Sequence, residues 1–242
     1  FGTTGEREII ISNVTAPVVT IVSPNTNSYT LDVDLDIYYS LSYNTLDRCW
    51  YSDNGGSNTT LGSCANITSV TWDEGLHEIY IYANDSQGNV GSFSVIFTID
   101  TIGPSLSITS PSDGTNTTDT GLDLEYAASD SNLDSCWYSD NGGSDTSLVG
   151  CANITSVTWD EGLHEVYVYA NDSVNHIVSD SISFTIDSVN PSLGITSPSD
   201  GTNSSDNTLG VEYIVSDTNL DSCWYSDNGG RNTSLAGCAN IT

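Results

Sequence analysis

Apolar residues recur at every second position along much of this chain. Leu106 and Ile108 alternate with serines, and Leu122, Leu124, Tyr126 and Ala128 alternate with polar residues. Val166, Val168 and Ala170 alternate with Tyr167 and Tyr169, and Ile182, Phe184 and Ile186 alternate with serine and threonine. A period of two sends successive side chains to opposite faces of an extended chain, so each run predicts a strand with one buried face. No stripe at helical spacing has comparable length. Turn formers separate the runs: Ser110-Pro-Ser-Asp-Gly114, Asp140-Asn-Gly-Gly143 and Asp160-Glu-Gly162. Short strands punctuated in this way predict an all-β chain folded as β-sandwiches.

The pattern is itself repeated. Cys49, Cys136 and Cys223 stand 87 residues apart, as do Cys64, Cys151 and Cys238, Pro17, Pro104 and Pro191, and the pair Trp72 and Trp159. The run Cys64-Ala-Asn-Ile-Thr-Ser-Val-Thr-Trp-Asp-Glu-Gly-Leu-His-Glu78 recurs unchanged at 151–165. A fixed period of this size predicts a tandem array of small domains. The expected boundaries are 17–103 for the first repeat, 104–190 for the second and 191–242 for the N-terminal part of a third. Residues 1–16 match the tail of a repeat and read as the final strand of a preceding copy or as a strand donated in trans. The third copy lacks the equivalent of Ser69–Gln87. The expectation is that it is completed by continuation of the polypeptide, in preference to donation of the strand Glu8–Asn13 by a neighbour.

Composition narrows the setting. With 32 acidic residues against 3 basic ones the formal charge is −29, which argues against nucleic acid or an anionic membrane as partner. The six cysteines form three identically spaced pairs without the clustering of a zinc site, so one disulfide per repeat is expected: Cys49–Cys64, Cys136–Cys151 and Cys223–Cys238. Each pair flanks an Asn-Gly-Gly hairpin, closing a loop worth about 3 kcal/mol. Ten sequons (Asn13, Asn58, Asn66, Asn84, Asn116, Asn153, Asn171, Asn203, Asn232, Asn240) agree with a secreted route and with N-linked glycans. No apolar run is long enough to cross a membrane as a helix.

Alternation also assigns faces. With Trp50 placed inward as a core tryptophan, Cys49 and Tyr51 point outward; with Ile79, Ile81 and Ala83 inward, Tyr80 and Tyr82 point outward too. The expected outer stripe is Tyr51, Tyr80 and Tyr82, repeated as Tyr138, Tyr167 and Tyr169. Cross-strand pairing would stiffen the sheet, and the same stripe offers a contact face for another subunit or for sugar rings.

The order Pro-x-Leu-x-Ile-x-Ser-Pro, Leu-Asp-Ser-Cys-Trp-Tyr-Ser, Glu-Gly-Leu-His-Glu-Val-Tyr-Val-Tyr-Ala-Asn-Asp-Ser and Phe-Thr-Ile-Asp is similar to immunoglobulin-like repeats of archaeal, and some bacterial, cell-surface proteins. The resemblance covers nearly the whole chain. It implies tandem immunoglobulin-like β-sandwich domains with short linkers, an extracellular location at the cell surface and an archaeal source. Repeats of this kind serve stalks, adhesins, surface layers and filaments alike.

Catalytic chemistry finds little footing. His77 and His164 are one repeat position and His176 is alone in a loop; no cysteine is left over as a nucleophile, and no Gly-x-Ser-x-Gly or His-Glu-x-x-His pattern occurs. Asp73 and Glu74 adjoin Gly75 in a turn, where solvated carboxylates are ordinary. The chain is expected to be no enzyme and to need no cofactor, calcium being the one ion its motifs suit. Asp130-Ser-Asn-Leu-Asp134 and Asp217-Thr-Asn-Leu-Asp221 place oxygen ligands on alternate residues, so Asp130, Asp134, Asp217 and Asp221 are the candidate ligands, with Asp100 and Asp187 at the joints. Three residues separate Asp100 from Pro104, and three separate Asp187 from Pro191, which predicts stiff connections. The expected function is a structural repeat of an extracellular filament, surface layer or stalk that joins copies of itself end to end. A carbohydrate-binding or adhesin array is the alternative.

Overall fold

The computed structural model describes residues 15–42 and 45–242. The first repeat contains β1 (Val18–Ser23), β2 (Ser28–Thr30), β3 (Tyr38–Ser42), β4 (Leu46–Asp53), β5 (Thr59–Leu61), β6 (Gly75–Asp85) and β7 (Val90–Ile99). β1 pairs with β3, and the remaining strands form a five-stranded sheet in the order β2-β7-β6-β4-β5. All pairings are antiparallel except β2 with β7, which run parallel. The two sheets meet at a core of Val19, Ile37, Ile67, Trp72, Ile79, Ile81, Val95, Phe97 and Ile99. This is the sandwich that the alternation predicts, built from the inward residues of β6 and β7.

The hairpin after β4 takes the conformation its sequence calls for. Asn54 and Gly55 have φ of 48° and 69°, values that asparagine and glycine reach most readily. Asn54 closes the turn further: its Oδ1 accepts the Glu78 N–H at 2.9 Å and its Nδ2 donates to the Leu76 carbonyl at 3.0 Å.

The second repeat reproduces the first with β8 (Ser105–Ser110), β9 (Thr115–Thr117), β10 (Glu125–Ser129), β11 (Leu133–Asp140), β12 (Thr146–Leu148), β13 (Gly162–Asp172) and β14 (Ile177–Ile186). Its sheets are β8-β10 and β12-β11-β13-β14-β9. In the third repeat β15 (Ser192–Ser197) pairs with β16 (Glu212–Ser216), and β17 (Cys223–Tyr225) pairs with β18 (Thr233–Leu235). Leu193, Ile195, Val211, Tyr213, Trp224 and Ile241, among others, line an open hollow of ≈ 410 Å³ there.

The residues gather into two compact units. One runs to Pro104 and takes in Asp130–Asp134 and Asn171–Ile177; the other holds Ser105–Ser129, Ser135–Ala170 and Val178–Thr242. Among the described residues, no helix is long and apolar enough to cross a membrane.

Candidate functional site

The three disulfides form as the spacing predicts, Cys49–Cys64, Cys136–Cys151 and Cys223–Cys238. The second cysteine of each pair sits in a single 3-10 turn after the hairpin, not on the hairpin strand itself. That turn lies beside the core, so Cys49 must point inward to reach Cys64, and it is fully buried. One inward position then fixes every other residue of β4.

The faces of β4 are therefore the reverse of the sequence-based expectation. Trp50 points outward and Tyr51 packs against the core, meeting Trp72 edge-on with ring centres 6.4 Å apart. The buried tryptophan of the domain is Trp72, 4% exposed, whose Nε1–H donates to the Leu35 carbonyl at 2.8 Å. Trp159 repeats this bond to Leu122. Tyr138, like Tyr51, packs edge-on against its tryptophan and leaves the outer stripe.

What stands on the outer face is a row of three rings. Trp50 lies directly opposite Tyr82 across β4 and β6, stacked with centres 5.4 Å apart and planes 8° from parallel, and Tyr80 follows 6.3 Å from Tyr82. Trp137, Tyr169 and Tyr167 make the same row in the second repeat. Tyr80 donates its hydroxyl to Glu78 at 2.6 Å and Tyr167 to Glu165 at 3.0 Å. Those hydrogen bonds, with the carboxylate charge beside them, raise both phenol pKa values. All six rings are half-buried, and each row is stacked ring on ring.

The histidines are structural. Nδ1 of His77 is 2.8 Å from Asp53 Oδ2, and its Nε2 is 2.8 Å from the Asp73 carbonyl; the ring stacks on Phe97. His164 repeats all three contacts with Asp140, Asp160 and Phe184. Glu74 accepts the Thr101 N–H and hydroxyl, and Glu161 accepts the same pair from Ser188. The carboxylates of the Asp-Glu-Gly turn are thus tied to the start of each connection.

Three sequon asparagines share one environment. Asn66, Asn153 and Asn240 are exposed, and each accepts a backbone N–H on Oδ1, from Tyr39, Tyr126 and Tyr213 at 3.1, 3.2 and 3.1 Å. The bond leaves out Nδ2, the atom to which an N-linked glycan attaches. Asn84 lies differently, in mid-sheet, with Oδ1 buried and Nδ2 donating to Asp47 at 3.2 Å; Asn171 is its counterpart on β13. Asn58, Asn116, Asn203 and Asn232 are exposed. Asn13 lies outside the described residues.

The proposed calcium ligands do not gather as the alternate spacing suggested. Asp134 is exposed on β11 and takes no part in the carboxylate cluster that includes Asp130. That cluster consists of Asp100, Asp130 and Asp172, which offer carboxylate oxygens within 4.8 Å of one another. All three belong to the first compact unit. Asp217 is half-buried and Asp221 exposed in the third repeat, and among the described residues neither belongs to a cluster of three.

No family model matches this chain, and no curated protein does. Several solved structures match this chain. The fibronectin(III)-like modules of Clostridium thermocellum CbhA match with 20% identity over 70% of this chain and 94% of theirs, at a TM-score of 0.33. A tetra-tandem repeat from the extending region of a large adhesion protein matches with 18% identity over 91% of this chain and 62% of its own, TM-score 0.40. A Dpr2 Ig1-Ig2 complex with DIP-Theta Ig1-Ig3 matches with 11% identity over 74% of this chain and 70% of that one, TM-score 0.43.

Proposed function

We propose that this chain is a structural segment of an extracellular array, a filament, surface layer or stalk, in which immunoglobulin-like repeats follow one another end to end. One observation carries the reading. The two complete repeats reproduce each other bond for bond, in the disulfide, the His–Asp pair, the tryptophan Nε1 bond and the Glu clamp on the connection. What is repeated is scaffold. Disulfides are typical of oxidising compartments, and an acidic surface suits crowded copies that must not adhere at random. The similarity of the sequence to archaeal and bacterial surface repeats supports the same reading.

In such an array each repeat supplies length and stiffness. Glycans on Asn66, Asn153 and Asn240 coat the exterior; intact-glycopeptide mass spectrometry of the native protein should find these sites occupied. Electron microscopy of the native assembly tests the whole. Rods or sheets with an axial step of roughly 35–45 Å per repeat are expected, from strands lying along the axis. Dispersed particles near 25.7 kDa plus glycans would refute it.

The half-buried row Trp50, Tyr82 and Tyr80 on the outer face favours one second reading, an adhesin or carbohydrate-binding array, since aromatic side chains are common contacts for sugar rings. Saturable glycan binding that disappears in a Trp50→Ala, Trp137→Ala double variant would establish that reading in place of the first.

A further inference from the structure

Asp100 ends the strand region of the first repeat, Asp130 follows β10 and Asp172 closes β13. Asp100 and Asp172 are each 1% exposed, and the three carboxylates present oxygens within 4.8 Å of one another. Asp172 is well supplied with donors. Its Oδ1 accepts the N–H groups of Val174 and His176 at 2.9 and 2.8 Å, and its Oδ2 accepts His176 Nδ1 at 2.7 Å. Asp130 accepts the Asn132 N–H at 2.7 Å, and the Asn132 side chain bonds the Asp100 carboxylate. That leaves Oδ2 of Asp100, a buried carboxylate oxygen with no hydrogen-bond partner.

A buried carboxylate oxygen facing two other carboxylates is costly unless something positive sits among them. The chain has no lysine, and among the described residues no arginine pairs with these carboxylates: Arg48 is exposed on β4 of the first repeat and Arg231 is exposed in the third. His176 serves Asp172 alone among the three. Oxygen-only, irregular and three-fold acidic surroundings fit a large hard cation, which accepts six to eight oxygen ligands at flexible angles and completes its shell with carbonyls and water. Magnesium demands a near-ideal octahedron, and zinc prefers nitrogen and sulfur.

We propose that Asp100, Asp130 and Asp172 form a calcium site, with the unpartnered Oδ2 of Asp100 as the ligand that the fold holds in reserve for the ion. The turn made by Asp172 does not explain the cluster. Asp85, its counterpart in the first repeat, makes the same turn through Gln87, Asn89 N–H and the Asn89 side chain. The positions matching Asp100 and Asp130 are there Asn13 and Tyr43 in the sequence, so the acid triad is particular to the second copy. Asp187 and Asp217 repeat the first two acids one step further on.

The test uses the full chain with its disulfides intact. After chelation, calcium chloride at a hundredfold excess over Kd should raise the melting temperature of the first compact unit by about 5–10 °C, with one saturable high-affinity ion by titration calorimetry. Asp100→Asn and, separately, Asp130→Asn should abolish both signals, whereas Asp134→Asn, on the exposed strand, should keep them. Near-UV circular dichroism checks that each variant is folded. An equal shift in Asp100→Asn and wild type, an equal shift with magnesium chloride, or no shift at millimolar calcium would each overturn the assignment.

Discussion

The first and third repeats share about half of the residues at matching positions in 17–68 and 191–242 but bury them differently. Ile37 and Cys49 are fully buried and Ile67 is 2% exposed, while their counterparts Val211, Cys223 and Ile241 are only half-buried. Val19 is 4% exposed and Leu193, at the same position, 69%. Trp50 is half-buried on Tyr82, and Trp224 is 60% exposed. Yet the local pieces agree: the β15–β16 pair, the β17–β18 hairpin, the disulfide and the Val211–Ile241 bridge all match the first repeat. Hairpins and disulfides are therefore properties of short sequence, and the core is a property of β6 and β7, which arrive later in each repeat and carry Ile79, Ile81, Val95 and Phe97.

The sharpest break of that comparison is a truncation at one position in both copies. Ile37→Ala should cost about 2–5 kcal/mol, as buried aliphatic truncations do. In a polypeptide limited to residues 1–242, Val211→Ala should cost under about 1 kcal/mol, since little packing is there to lose. Calorimetry with peptide-resolved hydrogen exchange assigns each loss to its repeat; equal losses would show that the third repeat buries its core after all.

Replacing Cys49 and Cys64 by serine should destabilise the first repeat by about 3 kcal/mol through the freed loop. In a polypeptide limited to residues 1–242, the same change at Cys223 and Cys238 should cost less, because Cys223 is only half-buried there. Denaturant melts of the two variants, with and without reductant, measure the difference.

On the outer face, the stack of Trp50 on Tyr82 should show a coupling of about 0.5–1.5 kcal/mol in a double-mutant cycle to alanine. In a polypeptide limited to residues 1–242, Trp224 is 60% exposed and should change stability by less than about 0.5 kcal/mol when truncated. A coupling near zero would mean that the rings stack without holding the sheet together.

The smallest effect is distinguished by its sign. Burial, then the charges of Asp172 and Asp130, raise the Asp100 pKa, and Glu74 adds to this against the Asn132 hydrogen bond. An acid with a raised folded pKa loses its proton first in the unfolded chain. Stability therefore falls as pH rises from about 4 through the folded value, and stays lower above it. In chelator, Asp100→Asn should thus stabilise the first compact unit at pH 7 and be nearly neutral at pH 3; with calcium the same substitution should destabilise. Asp172 has the opposite sign: burial raises its pKa, but bonds from the His176 and Val174 N–H groups and the His176 ring bring it below the usual value. Its contribution is present at neutral pH and is lost as pH falls through that lowered value.

Much of the fold was legible because it is local. The period gave the repeats, the alternation gave strands, and Asn-Gly-Gly flanked by cysteines gave hairpins and disulfides. The faces of β4 were not legible, because alternation fixes which residues share a face and leaves open which face is inside. Cys49 decides that question, through a partner in a turn beside the core. Trp72 was passed over because it lies between strands, where no period marks it, although its recurrence at Trp159 was a usable signal. The acidic cluster was half visible: Asp100 and Asp130 stood out as joint and turn residues. Asp172 was hidden in a strand ending common to two copies, and Asp134 misled because alternate spacing keeps residues on one face only along a continuous strand, whereas Asp130 lies in the turn before β11.

Each five-stranded sheet keeps its 10- and 11-residue strands in the middle and its three-residue strands at the borders. A border of three residues offers too few free amide groups to template a foreign strand, and β5 is further pinned between a tight turn and a disulfide. Sideways knitting through the five-stranded sheets into amyloid-like ribbons is thereby discouraged. Copies lying side by side would meet at those borders through side chains.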